Sequence, residues 1–146
     1  MRLWPVLLLL VLSGCGRTPE PDYSIILWEQ PSPQTAASLH AAEIGGLFVR
    51  VYGTSMKPMM VDGDYATAST DWPYDKIKEG DILIYQARWR SASDVMVAHM
   101  AAAKLGDEWI MKGINNVSYE RSSEERMGRA EYRGKLLNIY TKRKKP

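Results

Sequence analysis

Two side chains in this sequence have the types and settings to do chemistry together. The first is Ser55, in the run Gly53-Thr54-Ser55-Met56-Lys57-Pro58-Met59-Met60, with Gly63-Asp64 following. The second is His99, in the apolar run Val97-Ala98-His99-Met100. A serine hydroxyl is a poor nucleophile and needs a neighbouring base to take its proton. Imidazole is the side chain that accepts a proton near neutral pH. A carboxylate on its other nitrogen fixes the tautomer and stabilises the imidazolium that forms. Gly53 permits a tight backbone before the nucleophile, and Pro58 stiffens the turn after it. The backbone N–H of Ser55 is then a natural donor to an oxyanion. Lys104 is the competing base, placed by the sequence beyond the strand, near the Leu105-Gly106 turn. Asp94, Asp107, Glu108 and Glu120 are all available as the acid.

These residues need a scaffold, and the patterning describes one. Gln34 to Ile44 is Ala-rich and closed by Gly45-Gly46, which predicts a helix of about three turns carrying His40. His40 reads as a surface or helix-face histidine. From Leu47 onward the texture is that of strands and turns. Strands are expected at Leu47 to Tyr52, Tyr65 to Thr70, Asp81 to Gln86, Val95 to Ala101, Glu108 to Lys112 and Lys135 to Tyr140. Turn signals fall at Asp62-Gly63-Asp64, Glu79-Gly80-Asp81 and Leu105-Gly106-Asp107. On the strand that holds it, His99 shares a face with Val95, Val97 and Ala101. The expectation is a mostly-β domain, a partly closed sheet with one short N-terminal helix.

Composition narrows the function classes. The chain has 146 residues and a formal net charge of +2, enough for one domain and without the basic excess of a nucleic-acid binder. One cysteine and two histidines exclude a disulfide framework and make a Cys- or His-rich metal centre unexpected. No phosphate loop or dinucleotide fingerprint is present, so no cofactor or metal is expected.

The N-terminus reads as an address. Leu3 to Leu12 is apolar and too short to span a bilayer, which takes roughly 20 residues. It fits a secretory segment. Leu12-Ser13-Gly14-Cys15 follows, and it resembles the bacterial lipobox, in which the cysteine is acylated and becomes the new terminus. The expected organisation is a signal peptide over 1–14, the lipidated Cys15 and a tether over 15–33, and a catalytic domain over 34–146. Such a protein is anchored to a membrane by lipid on the extracytoplasmic side. Gly16 after the cysteine favours the outer membrane, by resemblance to sorting rules in double-membraned bacteria. The tail Lys142-Arg143-Lys144-Lys145 reads as a solvated charge run that could also touch anionic headgroups.

The ordered blocks resemble the signal peptidase I family and its LexA-like relatives. The Gly-x-Ser-Met-x-Pro run with Gly63-Asp64 is similar to the family's nucleophile block, and Gly80-Asp81-Ile82-Leu83-Ile84-Tyr85 to its second block. Val97-Ala98-His99-Met100, followed thirteen residues after His99 by Lys112-Gly113-Ile114-Asn115-Asn116, is similar to the blocks of the His-type members. Met127-Gly128-Arg129-Ala130 is similar to their closing stretch. The resemblance implies a serine endopeptidase with Ser55 as nucleophile, His99 as base and, in register, Glu120 as the acid. It also implies that Met56 and Pro58 lie against substrate, an exported or membrane-proximal polypeptide with small residues before the cut. Three positions depart from the pattern. Ile114 stands for an Asp, Met100 for a basic residue, and Gly53 for a Ser whose hydroxyl serves the oxyanion hole. These departures suit the alternative, a non-catalytic lipoprotein using the fold as a peptide-binding or structural module.

Overall fold

The computed structural model describes residues 19–88, 96–115 and 125–146. Its elements are β1 (Ile26–Leu27), α1 (Pro33–Ile44), β2 (Leu47–Arg50), β3 (Tyr65–Ser69), β4 (Ile82–Tyr85), β5 (Val97–Leu105), β6 (Glu108–Lys112), β7 (Arg126–Met127) and β8 (Tyr132–Tyr140). Short 3-10 turns occupy Tyr23–Ile25 and Tyr74–Lys76. The strands form one sheet in the order β2-β3-β8-β4-β5-β6-β7, antiparallel throughout that path. The fold is mostly β with one short helix.

β4 lies at the centre and is buried on both faces, which is why Ile82 to Tyr85 carries no charged side chain. Its side chains alternate between two cores. Ile82 and Ile84 join Met56, Met59, Met60, Ala66, Met100 and Leu136 on one face. Leu83 and Tyr85 join Ala101, Trp109, Met111 and Met127 on the other. Bulges at Thr67/Ala68, Ile84/Tyr85 and Ala101/Ala103 add local twist to the sheet.

α1 begins one residue before its expected start, with Pro33 in its first turn, and ends at Gly45 in the left-handed conformation. It buries Pro33, Ala37 and Ala41, four residues apart, so the helix backbone lies close over β3 and β8. His40 is more than a surface group. Its Nδ1 lies 2.6 Å from the Tyr140 hydroxyl and 3.2 Å from Thr67 Oγ1, joining helix to sheet. Burial holds the Tyr140 phenol above its ordinary range, so that hydroxyl stays protonated.

Three expectations about extent are corrected. Residues 22–28, assigned to the tether, belong to the folded unit, because β1 pairs in parallel with the end of β8 and buries Ile26. The regular strand from Leu47 ends at Arg50: Val51 still donates to the Asp64 carbonyl, but its own carbonyl accepts from the Gly63 N–H, one residue out of register. β5 runs on to Leu105, so Lys104 lies within the strand, opposite Trp109, and not beyond it. Cys15, Asp94, Val95 and Glu120 lie outside the described residues. Among the described residues, no helix is long and apolar enough to cross a membrane.

Candidate active site

The turn that carries Ser55 is tied down from three sides. Gly53 adopts φ 91°, a left-handed conformation, and its N–H donates to Asp62 Oδ1 at 3.2 Å. Lys57 N–H returns to the Thr54 carbonyl and Met60 N–H to the Met56 carbonyl, both at 3.1 Å, which closes the turn on itself. From the end of β6, Asn115 donates its backbone N–H to the Ser55 carbonyl at 2.9 Å and its side-chain amide to the Thr54 carbonyl at 3.0 Å.

Gly113 explains how the turn reaches the sheet so closely. A Cβ built at Gly113 would lie 2.5 Å from the Ser55 carbonyl oxygen and 3.2 Å from Ser55 Cβ. Only glycine fits there. Met100 pairs with Lys112, so one step further along the ladder Gly113 falls opposite His99. Residues opposite each other across two strands share a face. The Ser55 backbone is therefore held at the end of the β5–β6 ladder, beside His99.

His99 is nearly buried, at 9% exposure, and its Nδ1 edge is fully engaged. The Tyr85 hydroxyl lies 3.1 Å from Nδ1 and Glu125 Oε2 lies 3.0 Å from it. The ladder accounts for both neighbours. Leu83 is opposite His99, which makes Tyr85 its diagonal neighbour on the same face. Met111 donates its N–H to the Glu125 carbonyl at 2.8 Å, which brings Glu125 to the same side one strand beyond β6. Burial first, and the Glu125 carboxylate second, push the Tyr85 phenol far above its ordinary range. Tyr85 is thus a protonated donor to the carboxylate. In a neutral ring, donation from Nδ1–H to the carboxylate leaves the lone pair on Nε2.

Ser55 and His99 line one cleft of about 440 Å³. Its walls are Val49, Val51 and Tyr52 from the β2 side, Met96 to Ala98 from the start of β5, and Met56 and Met60 from the Ser55 turn. Ala66, Ile84 and Leu136 contribute to the lining from three neighbouring strands of the sheet. Among the described residues, Arg50 is the one permanently charged side chain in the lining. Among the described residues, no hydrogen bond joins Ser55 Oγ to His99, and the Ser55 N–H has no partner, so it is available to an oxyanion.

Of the residues expected here, Ser55, His99 and Met56 meet in the cleft. Pro58 does not line it. It is exposed on the turn, and its carbonyl is held by Arg143. Lys104 stands five residues from His99 along β5, about 16 Å in an extended strand, with its ammonium 5.9 Å from the centre of the Trp109 ring. The carboxylate on His99 is Glu125, which sequence register did not suggest. Glu125 precedes Arg126, so an acidic residue before an arginine was the available signal, but Glu120-Arg121 carries the same pair. Sequence reasoning also missed Tyr85. Among the described residues, no three His, Cys, Asp or Glu side chains are grouped to hold a metal ion.

The two Gly-Asp blocks have a structural explanation of their own. Asp64 Oδ2 accepts from the Val61 N–H at 3.0 Å, and Asp81 Oδ2 from the Lys78 N–H at 2.9 Å. In each turn the aspartate N–H returns to the carbonyl three residues earlier, and the glycine between has φ near 90°. Both are the same aspartate-closed turn. Ile114, at the position where an Asp was expected, packs against the first core.

Compared with known protein families, with curated proteins and with solved structures, the chain matches none.

Proposed function

We propose that this protein is a serine endopeptidase of the signal peptidase-like kind, acting through Ser55 and His99. The observation that carries the reading is the buried Glu125–His99 pair beside Ser55, in a cleft open to solvent. A peptide enters extended along the outer edge of β2, which among the described residues pairs only with β3. The apolar walls take its side chains. His99 Nε2 removes the hydroxyl proton as Ser55 Oγ attacks the amide carbonyl carbon. The Ser55 N–H stabilises the oxyanion, and Glu125 stabilises the imidazolium. His99 returns the proton to the leaving amine, leaving an acyl ester on Ser55. Water, deprotonated by His99, then hydrolyses that ester. The apo turn closes on the imidazole when substrate binds, as catalytic hydrogen bonds commonly tighten only in the complex.

The same proposal includes lipid attachment at Cys15 and an extracytoplasmic, outer-membrane position, resting on Leu12-Ser13-Gly14-Cys15. Substrates are exported or membrane-proximal polypeptides. No cofactor, metal or nucleic acid enters the scheme.

A specific observation favours the alternative of a peptide-binding module. The Gly53 N–H is spent on Asp62, and residue 53 has no hydroxyl, so the oxyanion hole has one evident donor. Losing one such donor costs roughly a hundred- to a thousandfold in rate. Wild type and Ser55→Ala, compared on exported reporter polypeptides in membranes and with a serine-reactive phosphonate probe, decide between the readings. Cleavage and labelling by wild type alone are expected, with Lys104→Ala active and His99→Ala inactive. Equal behaviour of wild type and Ser55→Ala would leave the binding module.

A further inference from the structure

The cationic tail contains one residue that is not a solvated charge. Arg143 folds back onto the nucleophile turn and spends its guanidinium there. Nη1 donates to the Pro58 carbonyl at 2.8 Å. Nη2 donates to the Met59 carbonyl at 2.9 Å and to Asp64 Oδ2 at 2.7 Å. Nε donates to Thr141 Oγ1 at 3.0 Å, and the Trp28 ring lies 5.2 Å from the guanidinium carbon. Asp64 is 5% exposed and at the same time closes the turn through Val61.

We propose that Arg143 is a positioning residue for Ser55, holding the far limb of the nucleophile turn so that the hydroxyl meets His99. The proposal rests on the peptidase reading above. The turn has two limbs with Ser55 between them. Asn115 holds the carbonyls of Thr54 and Ser55, on the near limb. Arg143 holds the carbonyls of Pro58 and Met59, on the far limb. Met59 and Met60 are sunk in the core, so movement of the far limb is transmitted to the cleft wall as well as to Ser55. Four acceptors around one planar group are matched by the fork of an arginine and not by a lysine, whose ammonium is a single point. A displacement of about 1 Å at a reacting group can cost a hundredfold in rate. The site thus depends on a residue 88 positions after the nucleophile.

The test uses the full-length chain with Arg143→Lys and Arg143→Ala, assayed well below each variant's melting temperature. Both are expected to lower kcat at least tenfold with KM little changed, and to slow phosphonate labelling of Ser55 by a similar factor. Guanidinium ion at low millimolar concentration should restore part of the rate to Arg143→Ala and none to Arg143→Lys. Amide hydrogen exchange should quicken across Ser55 to Val61, while the His99 ring signals stay as in wild type. Unchanged kcat and labelling, with only a lower melting temperature, would make Arg143 a stability residue and overturn the proposal. If wild type neither cleaves nor labels, the peptidase reading fails by itself. Exchange then decides the positioning claim, and unaltered exchange over Ser55 to Val61 in both variants overturns it.

Discussion

Glu125 Oε2 sits 3.0 Å from His99 Nδ1, with both side chains at least 89% buried, and the Tyr85 hydroxyl lies 3.1 Å from the same ring nitrogen. Glu125→Gln keeps the shape of this contact but can present its amide N–H to Nδ1, which favours the wrong tautomer. The expected result is a loss of about 10³- to 10⁴-fold in kcat with the fold retained. Glu120→Ala should leave most of the activity, because Nδ1 is already occupied. Steady-state kinetics of the two variants side by side check this; the reverse ranking would return the acid to Glu120.

Tyr85→Phe removes the hydroxyl beside Nδ1. The phenol stays protonated throughout the folded range, since burial and then Glu125 hold its ionisation far above the ordinary value of 10. Its loss should cost about 1.5–3 kcal/mol, the worth of a hydrogen bond to a charged group. Denaturant melts would measure that cost. Activity should fall less than in Glu125→Gln, because the carboxylate still accepts from Nδ1.

Gly113→Ala probes the approach of the turn to the sheet. The added methyl would meet the Ser55 carbonyl oxygen at 2.5 Å, and backbone must give way. A stability loss of roughly 1–3 kcal/mol is expected, as for other overpacked sites. Phosphonate labelling of Ser55 should fall more than stability does, since the displaced atoms belong to the nucleophile itself. Wild-type labelling in a folded Gly113→Ala protein would contradict the close approach.

The acid limb of stability should show Glu131. The Arg88 guanidinium, foremost by hydrogen bonding, holds this carboxyl below its ordinary value of 4.5. A folded-state value lower than the unfolded one means that the contribution is complete above the unfolded value and is lost as pH falls through the folded one. The gap in melting temperature between wild type and Glu131→Gln should therefore be full near about pH 7 and close progressively below about pH 4.5. A gap independent of pH would assign it to packing.

Much of the scaffold was written in local sequence, because turns and alternation are local physics. Gly63-Asp64 and Gly80-Asp81 each close their own turn with a carboxylate three residues from its target, and such a device is legible without any partner. The run through β4 is apolar at every position because both its faces are covered, and the Ala stripe of α1 marks the side that meets the sheet. Ser55 and His99 stood out for the same reason, as residue types in settings that few other functions explain. What the sequence could not decide is which distant groups serve them. Glu125 and Tyr85 reach His99 only because β4, β5, β6 and the strand edge after Glu124 lie side by side in one register, a pairing that no local pattern encodes. Lys104 sits outside the cleft because β5 runs four residues past its apparent end at Ala101. Arg143 looked like one more charge in a basic tail. Its place on the nucleophile turn follows from β8 ending beside Asp64, and hydrogen bonds across 79 to 85 residues of chain exist only once the sheet has closed.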